Sequence, residues 1–504
     1  MRTAPDEALH FSSRRSRWLD DNTLLNRGEG KETNWKRQYK LRYNWSVGAC
    51  EVQEIHVADR PSVPSMLVRL AEGVVVTADK EDGLRAWDLR EKGLIATYSL
   101  ENDNVPTCLA VDEQESASNG LGIALGFMDG GWGVWRLDVA AKAFKRTYRY
   151  PASSNGLLSA VAYANPYILT ITESQLLSLY SFTAAPPIEE EDLASEVPLI
   201  MAEEPAVPLL QPAISLFDQP IPPRLLASLE SHTAWPPLSL SIRTTSSTII
   251  ASIAYSLPTY LSGYTIGLQE LHLSPLTGLV SSSRLASALP QGFSSLLSQS
   301  SSTPSSGTST PTQQPLSHSP QPPGGGSRPT TLSYSHPYIL ATHPDNTLTL
   351  YLCTSTASSL TITPGTKLWG HTSSVSSAEI TPRGKAVSVS TRGNELRVWE
   401  LEGGLSSTST SSSSTSQFFS ALSKKRSKRL EDRSVQIRPE PKALITSLGE
   451  EENKKDKKQR EIEEQPYEEE IEVRKRWVGF DDEMVIVLKE SGKGTQALMI
   501  YDFT

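Results

Sequence analysis

Cysteine is nearly missing: Cys50, Cys108 and Cys353 are the only three in 504 residues. So few thiols, so far apart, support neither a disulfide framework nor a CxxC metal site, and a reducing compartment, cytosol or nucleus, is expected. No run of about 18 apolar residues occurs, and the opening MRTAPDEALHFSSRRSRW lacks the apolar core of a signal peptide, so a soluble intracellular protein is expected. The sequon Asn44-Trp45-Ser46 then has no secretory context and is set aside as chance. Positive charge is not in excess either. Forty-eight Lys and Arg face 57 Asp and Glu, a formal net charge of −9, which argues against a general nucleic-acid binder. The eight histidines (10, 56, 232, 272, 318, 336, 343, 371) show no metal-ligand spacing, so neither a metal nor a cofactor is expected. Catalytic constellations are lacking too. The DGGWG run at 129 to 133 could suggest a phosphate loop, but a strand follows it where a helix N-terminus would be needed. The acidic pair Asp481-Asp482 sits in a strand turn with nothing to hold it in geometry. No enzyme is expected.

What is present is a folded core diluted by breaker-rich inserts, with 38% hydrophobic residues beside 34 Pro and 31 Gly. Four segments, near 183–222, 287–330, 402–433 and 446–472, are too polar to bury a core and read as disordered inserts. Between them a six-residue strand pattern returns seven times: LRAWDL at 84, WGVWRL at 132, LLSLYS at 176, LQELHL at 268, LTLYLC at 348, LRVWEL at 396 and LMIYDF at 498. Its key positions are Trp87, Trp135, Tyr180, Leu271, Tyr351, Trp399 and Tyr501. Trp87 to Trp135 and Tyr351 to Trp399 both span 48 residues. Once the inserts are removed, the longer gaps also approach the roughly 40 to 45 residues of a four-stranded blade. Each copy follows an apolar strand candidate, such as GVVVTAD at 73 or MVIVLKES at 484, and several have another before that. The pattern predicts an all-β, seven-bladed β-propeller over residues 48–504.

The sixth unit, with Gly370-His371 near its start and Trp399-Glu400 near its end, resembles a WD repeat, and Trp87-Asp88 gives the Trp-Asp pair itself. Asp129 lies in the turn where that family commonly places a structural Asp, and His371 is read as the blade's structural histidine. The last repeat ends at its third strand. The alternating segment GACEVQEIHV, 48–57, is therefore expected to complete that blade and close the ring, since an open edge invites aggregation; the alternative is a linker.

Residues 1–47 differ in character. Trp35, Tyr39 and Tyr43 recur at four-residue spacing and predict a helix with an aromatic face against the propeller. This region resembles the end of an F-box and the helical linker of F-box/WD-repeat proteins, the substrate adaptors of cullin-type ubiquitin ligases. Ser13, Arg14, Arg17, Trp18, Asp20, Asp21, Leu24 and Leu25 match the motif's last helix, and Trp35, Tyr39 and Trp45 match the linker. The opening helices of an F-box are absent upstream of Ser12, so a truncated F-box, and a natural N-terminus longer than this one, is expected; the alternatives are real loss of those helices, or a mere packing helix over 12–45.

The resemblance implies a protein-binding propeller that acts as substrate-recognition subunit of an SCF-type ligase, with the ligase adaptor and cullin complex and a protein substrate, phosphorylated or not, as partners. No membrane partner is expected. Lys80 and Arg392, in turns between second and third strands, are the candidates for phosphate capture, against ordinary exposed charge. The rival reading is a WD-repeat scaffold in another complex. The basic run Lys424 to Arg429 suits a nuclear signal, an electrostatic contact or plain solvated charge.

Overall fold

A computed structural model of the chain describes residues 35–71, 73–100, 104–112, 120–183, 222–230, 235, 237–259, 263–288, 327–356, 358–391, 395–401, 434–439, 474–492 and 494–504. The four expected inserts, the F-box-like residues Arg14, Arg17, Trp18, Leu24 and Leu25, the basic run and Arg392 lie outside these residues, save for the ends of the first two inserts.

The seven six-residue repeats each form the third strand of one antiparallel sheet, and there are seven such sheets among the described residues. Blade 1 comprises Leu67–Ala71, Val74–Asp79, Gly83–Asp88 and Gly93–Tyr98, and blade 2 comprises Pro106–Val111, Leu121–Phe127, Trp132–Asp138 and Ala143–Tyr150. Blade 3 comprises Leu158–Ala164, Tyr167–Thr172, Leu176–Ser181 and Arg224–Glu230, and blade 4 comprises Pro237–Thr244, Ile249–Thr259, Gly263–Leu273 and Val280–Ser287. In blade 5 (Leu332–Ser335, Tyr338–Thr342, Leu348–Ser355) the fourth strand is split into Leu360–Ile362 and Thr366–Leu368, both paired with the third strand. Blade 6 comprises Val375–Ile380, Lys385–Ser390, Leu396–Glu400 and Ser434–Gln436.

Blade 7 joins the two ends of the chain. Arg474–Phe480, Met484–Glu490 and Gln496–Asp502 supply three strands, and Ala49–Ala58 supplies the fourth. The pairing is antiparallel, from Glu51 opposite Asp502 to Ala58 opposite Gln496. A short strand, Arg438–Pro439, adds to the outer side of Ala49–Cys50 in parallel.

Inner strands are apolar because each blade is covered on both faces by its neighbours. Val74–Asp79 is buried at every position, and so are the key residues Trp87, Trp135, Tyr180, Leu271, Tyr351, Trp399 and Tyr501. A core cluster fills each of the seven blade contacts, including the one between blades 7 and 1, where Ile55, Val57, Ile486 and Ile500 pack on Val68, Val75 and Trp87. At roughly 1.5–3 kcal/mol for each fully buried large aliphatic side chain, every contact is a substantial share of the stability. Several polar groups inside the blades pair with one another. In blade 6, Trp399 Nε1 donates to Ser388 Oγ at 2.8 Å, and His371 Nε2 lies 2.6 Å from the same oxygen. In blade 1, Trp87 Nε1 donates to Thr77 Oγ1 at 3.0 Å.

Candidate protein-interaction site

One face of the ring carries the turns between first and second strands and between third and fourth strands. The helix Trp35–Val47 docks there, over blades 6 and 7. Its anchoring residues are Leu41 and Trp45, each 5% exposed. The Trp45 ring stacks on Phe503 with centroids 3.9 Å apart, and its Nε1 donates to the Asp482 carbonyl at 2.9 Å. Asn44 donates to the Phe503 carbonyl at 2.7 Å, and Arg37 pairs with Glu483 at 2.9 Å. Lys385 of blade 6 places its Nζ 3.0 Å from the centre of the Trp45 ring. Burial pushes that amine down to about 8, against the opposing pull of Asp482, Glu400 and Asp481. Burial also raises the Asp481 carboxyl, whose oxygen accepts from the backbone N–H groups of Glu483 and Met484.

The expected aromatic face is corrected here. Tyr39 and Tyr43 are 74% and 56% exposed, and the helix packs through the other row at four-residue spacing, Arg37, Leu41 and Trp45. A helix brings both rows into register equally. The second row wins because its indole and its guanidinium each find a partner on blade 7. The helix ends at Gly48, in the left-handed region with φ of 74°, whose N–H donates to the Asn44 carbonyl at 2.8 Å. A Cβ at this position would collide with the carbonyl oxygen of Gln436 in blade 6. Glycine therefore lets the chain leave the helix and enter the closing strand along the blade wall.

The opposite face carries the turns between second and third strands and the links between blades. Lys80 lies there, exposed, in the turn after Val74–Asp79. Below it Arg85 is held by Asp79 at 2.6 Å and Asp82 at 2.9 Å, and donates to the Val57 carbonyl at 2.8 Å. That buried guanidinium ties blade 1 to the closing strand. The same face exposes large apolar side chains that pattern reading did not single out: Val63 (76%), Met128 and Trp369 (50% each), Tyr264 (39%) and Trp235 (38%). Their positions in turns and links, between strands of strong periodicity, hid them. Aromatic and Met side chains of this kind are enriched where proteins meet other proteins.

A third feature is polar. At the contact of blades 4 and 5, Glu270 is fully buried, with Arg243 at 3.0 Å, the Tyr334 hydroxyl at 3.4 Å and the Ser355 hydroxyl at 2.6 Å from its oxygens. Among the described residues, Glu270, His336 and Cys353 bring potential ligand atoms within 4.8 Å of one another. Burial lowers His336 to about 4 and pushes the Cys353 thiol up to about 12, so both are neutral near pH 7. Spacing along the chain gave no sign of this group, because its members stand 66 and 17 residues apart on two blades.

A closed seven-bladed propeller with a helix fixed to one face and apolar turns on the other is the class of protein these features define. The family described as the F-box protein pof12 beta-propeller matches residues 50–504, and the chain belongs to that family. No curated protein matches it. Among solved structures, the computationally designed Ika8 protein is 12% identical, with 87% of this chain and 83% of that chain covered and a TM-score of 0.37, too loose a likeness to carry an argument.

Proposed function

We propose that the chain is a protein-binding adaptor that presents a partner for ubiquitination as the substrate-recognition subunit of a cullin-type ligase, in the cytosol or nucleus, and transfers nothing itself. The observation that carries this reading is the division of labour between the two faces. The helix Trp35–Val47 is fastened through Trp45 and Asn44 to one face, which gives a preceding segment a rigid seat. The other face is left with Trp235, Tyr264, Met128 and Trp369 exposed, together with Lys80. Loops on a rigid ring are free to vary, and exposed aromatic and Met anchors suit a protein surface. Lys80 is the candidate for a phosphorylated group on the partner, through charge-assisted hydrogen bonds.

The test is affinity capture from cells with the tagged full chain. Capture of the ligase adaptor and cullin, with a substrate whose recovery drops several-fold in Lys80→Glu and in Trp369→Ala, is the expected result. Capture of other partners without either ligase component would instead support a scaffold in another complex.

A further inference from the structure

The polar group between blades 4 and 5 has the composition of a metal site. Glu270 comes from the third strand of blade 4, His336 from the turn after the first strand of blade 5, and Cys353 from the third strand of blade 5. We propose that Glu270, His336 and Cys353 bind a zinc ion that ties blade 4 to blade 5.

Carboxylate, imidazole and thiolate together form a ligand set that zinc accepts, at about 2.0 to 2.3 Å each. Tetrahedral binding at those lengths sets ligand atoms roughly 3.4 to 3.7 Å apart. The observed limit of 4.8 Å therefore closes with side-chain movement of about 1 Å and no rearrangement of strands.

An independent observation points the same way. His336 Nδ1 and His272 Nε2 are both buried without a hydrogen-bond partner among the described residues. An orphaned ring nitrogen is expensive inside a protein, and a metal ion relieves it. His272 Nε2 lies 3.9 Å from Glu270 Oε2, beside that three-residue group. Supporting groups are in place as well. Arg243 and Tyr334 hold Glu270 Oε1, and the Ser355 hydroxyl, which donates to Oε2, can turn aside.

Charge selects among ions. The Arg243 guanidinium opposes a hard cation bound by a single carboxylate, so magnesium and calcium are disfavoured, whereas a softer ion gains the Cys353 thiolate. On binding, Cys353 releases its proton to solvent and the sulfur bonds the metal, with no change of oxidation state. The location also gives the ion a mechanical role. Blades 4 and 5 are joined in sequence only through the long stretch between Ser287 and Leu332, where a cross-link offsets the weak restraint of a long connection.

The full chain should be dialysed against cobalt(II), the coloured substitute for zinc, and its zinc content as purified measured by elemental mass spectrometry. About one ion per chain and a thiolate-to-cobalt charge-transfer band in the near ultraviolet are expected. Cys353→Ser should abolish the band, Cys50→Ser and Cys108→Ser should keep it, and His336→Ala should weaken zinc binding at least about tenfold. A wild-type chain that binds no stoichiometric ion, or shows no thiolate band, overturns the proposal without recourse to any variant. So does a band that survives Cys353→Ser.

Discussion

His371 in blade 6 is buried beside Ser388, with Nδ1 3.5 Å from Glu395 and Arg397 close by. Burial first, and Arg397 second, lower its pKa from 6.5 to about 4, against the pull of Glu395. Between those values the unfolded chain takes up a proton that the folded chain refuses. The contribution of His371 is therefore complete above about 6.5 and is lost as the pH falls towards 4. In His371→Gln, the drop in urea midpoint between about pH 7 and about pH 5 should be smaller than in the wild type; an equal drop would remove His371 from the account. Trp45 is the second residue on which much depends. Trp45→Ala forfeits the stack on Phe503 and the bond to Asp482, and should destabilise by about 3 to 5 kcal/mol, read as a lower urea midpoint. Sequence pattern picked the wrong row of this helix for a physical reason. The aromatic row Trp35, Tyr39 and Tyr43 stands out in the sequence more than one that begins with the charged Arg37, but what decides a docking face is the surface it meets, which lies more than 430 residues away in sequence at Asp482 and Phe503.

At the scale of the element, the strands that were legible are those buried on both sides. Six of the seven third strands carry an aromatic at the key position, second strands are mostly apolar, and both follow from being enclosed by neighbouring blades. Apart from the closing strand Ala49–Ala58, the fourth strands were not legible. Ala143–Tyr150 and Val280–Ser287 stand at the outer rim with most positions exposed or half-buried, so no hydrophobic period marks them. Arg224–Glu230 and Ser434–Gln436 are further hidden because each follows a long polar insert. The exposed apolar turns were missed for a related reason: single residues in connections have no period to detect. The closing strand makes its own prediction. Deleting residues 49–58 should bare the edge of Gln496–Asp502 and the core under Ile55 and Val57. That variant should form soluble aggregates in light scattering and melt at a lower temperature, whereas an unchanged monomer would show the strand to be dispensable.

Over the whole molecule, seven core clusters fill seven blade contacts, and at the contact between blades 7 and 1 the two ends of the chain share a sheet. A ring closed this way has no weakest blade at the seam, and its two faces stay fixed relative to each other. The helix on one side and the exposed Trp235, Tyr264 and Trp369 on the other depend on that rigidity. Hydrogen–deuterium exchange of the full chain reads the closure directly. Amides of Val52 to Ile55 should be protected as strongly as those of Leu498 to Tyr501 opposite them, and as strongly as the inner strands of blade 1. Rapid exchange at Val52 to Ile55, with the rest of blade 7 protected, would show the ring to be open and contradict the account.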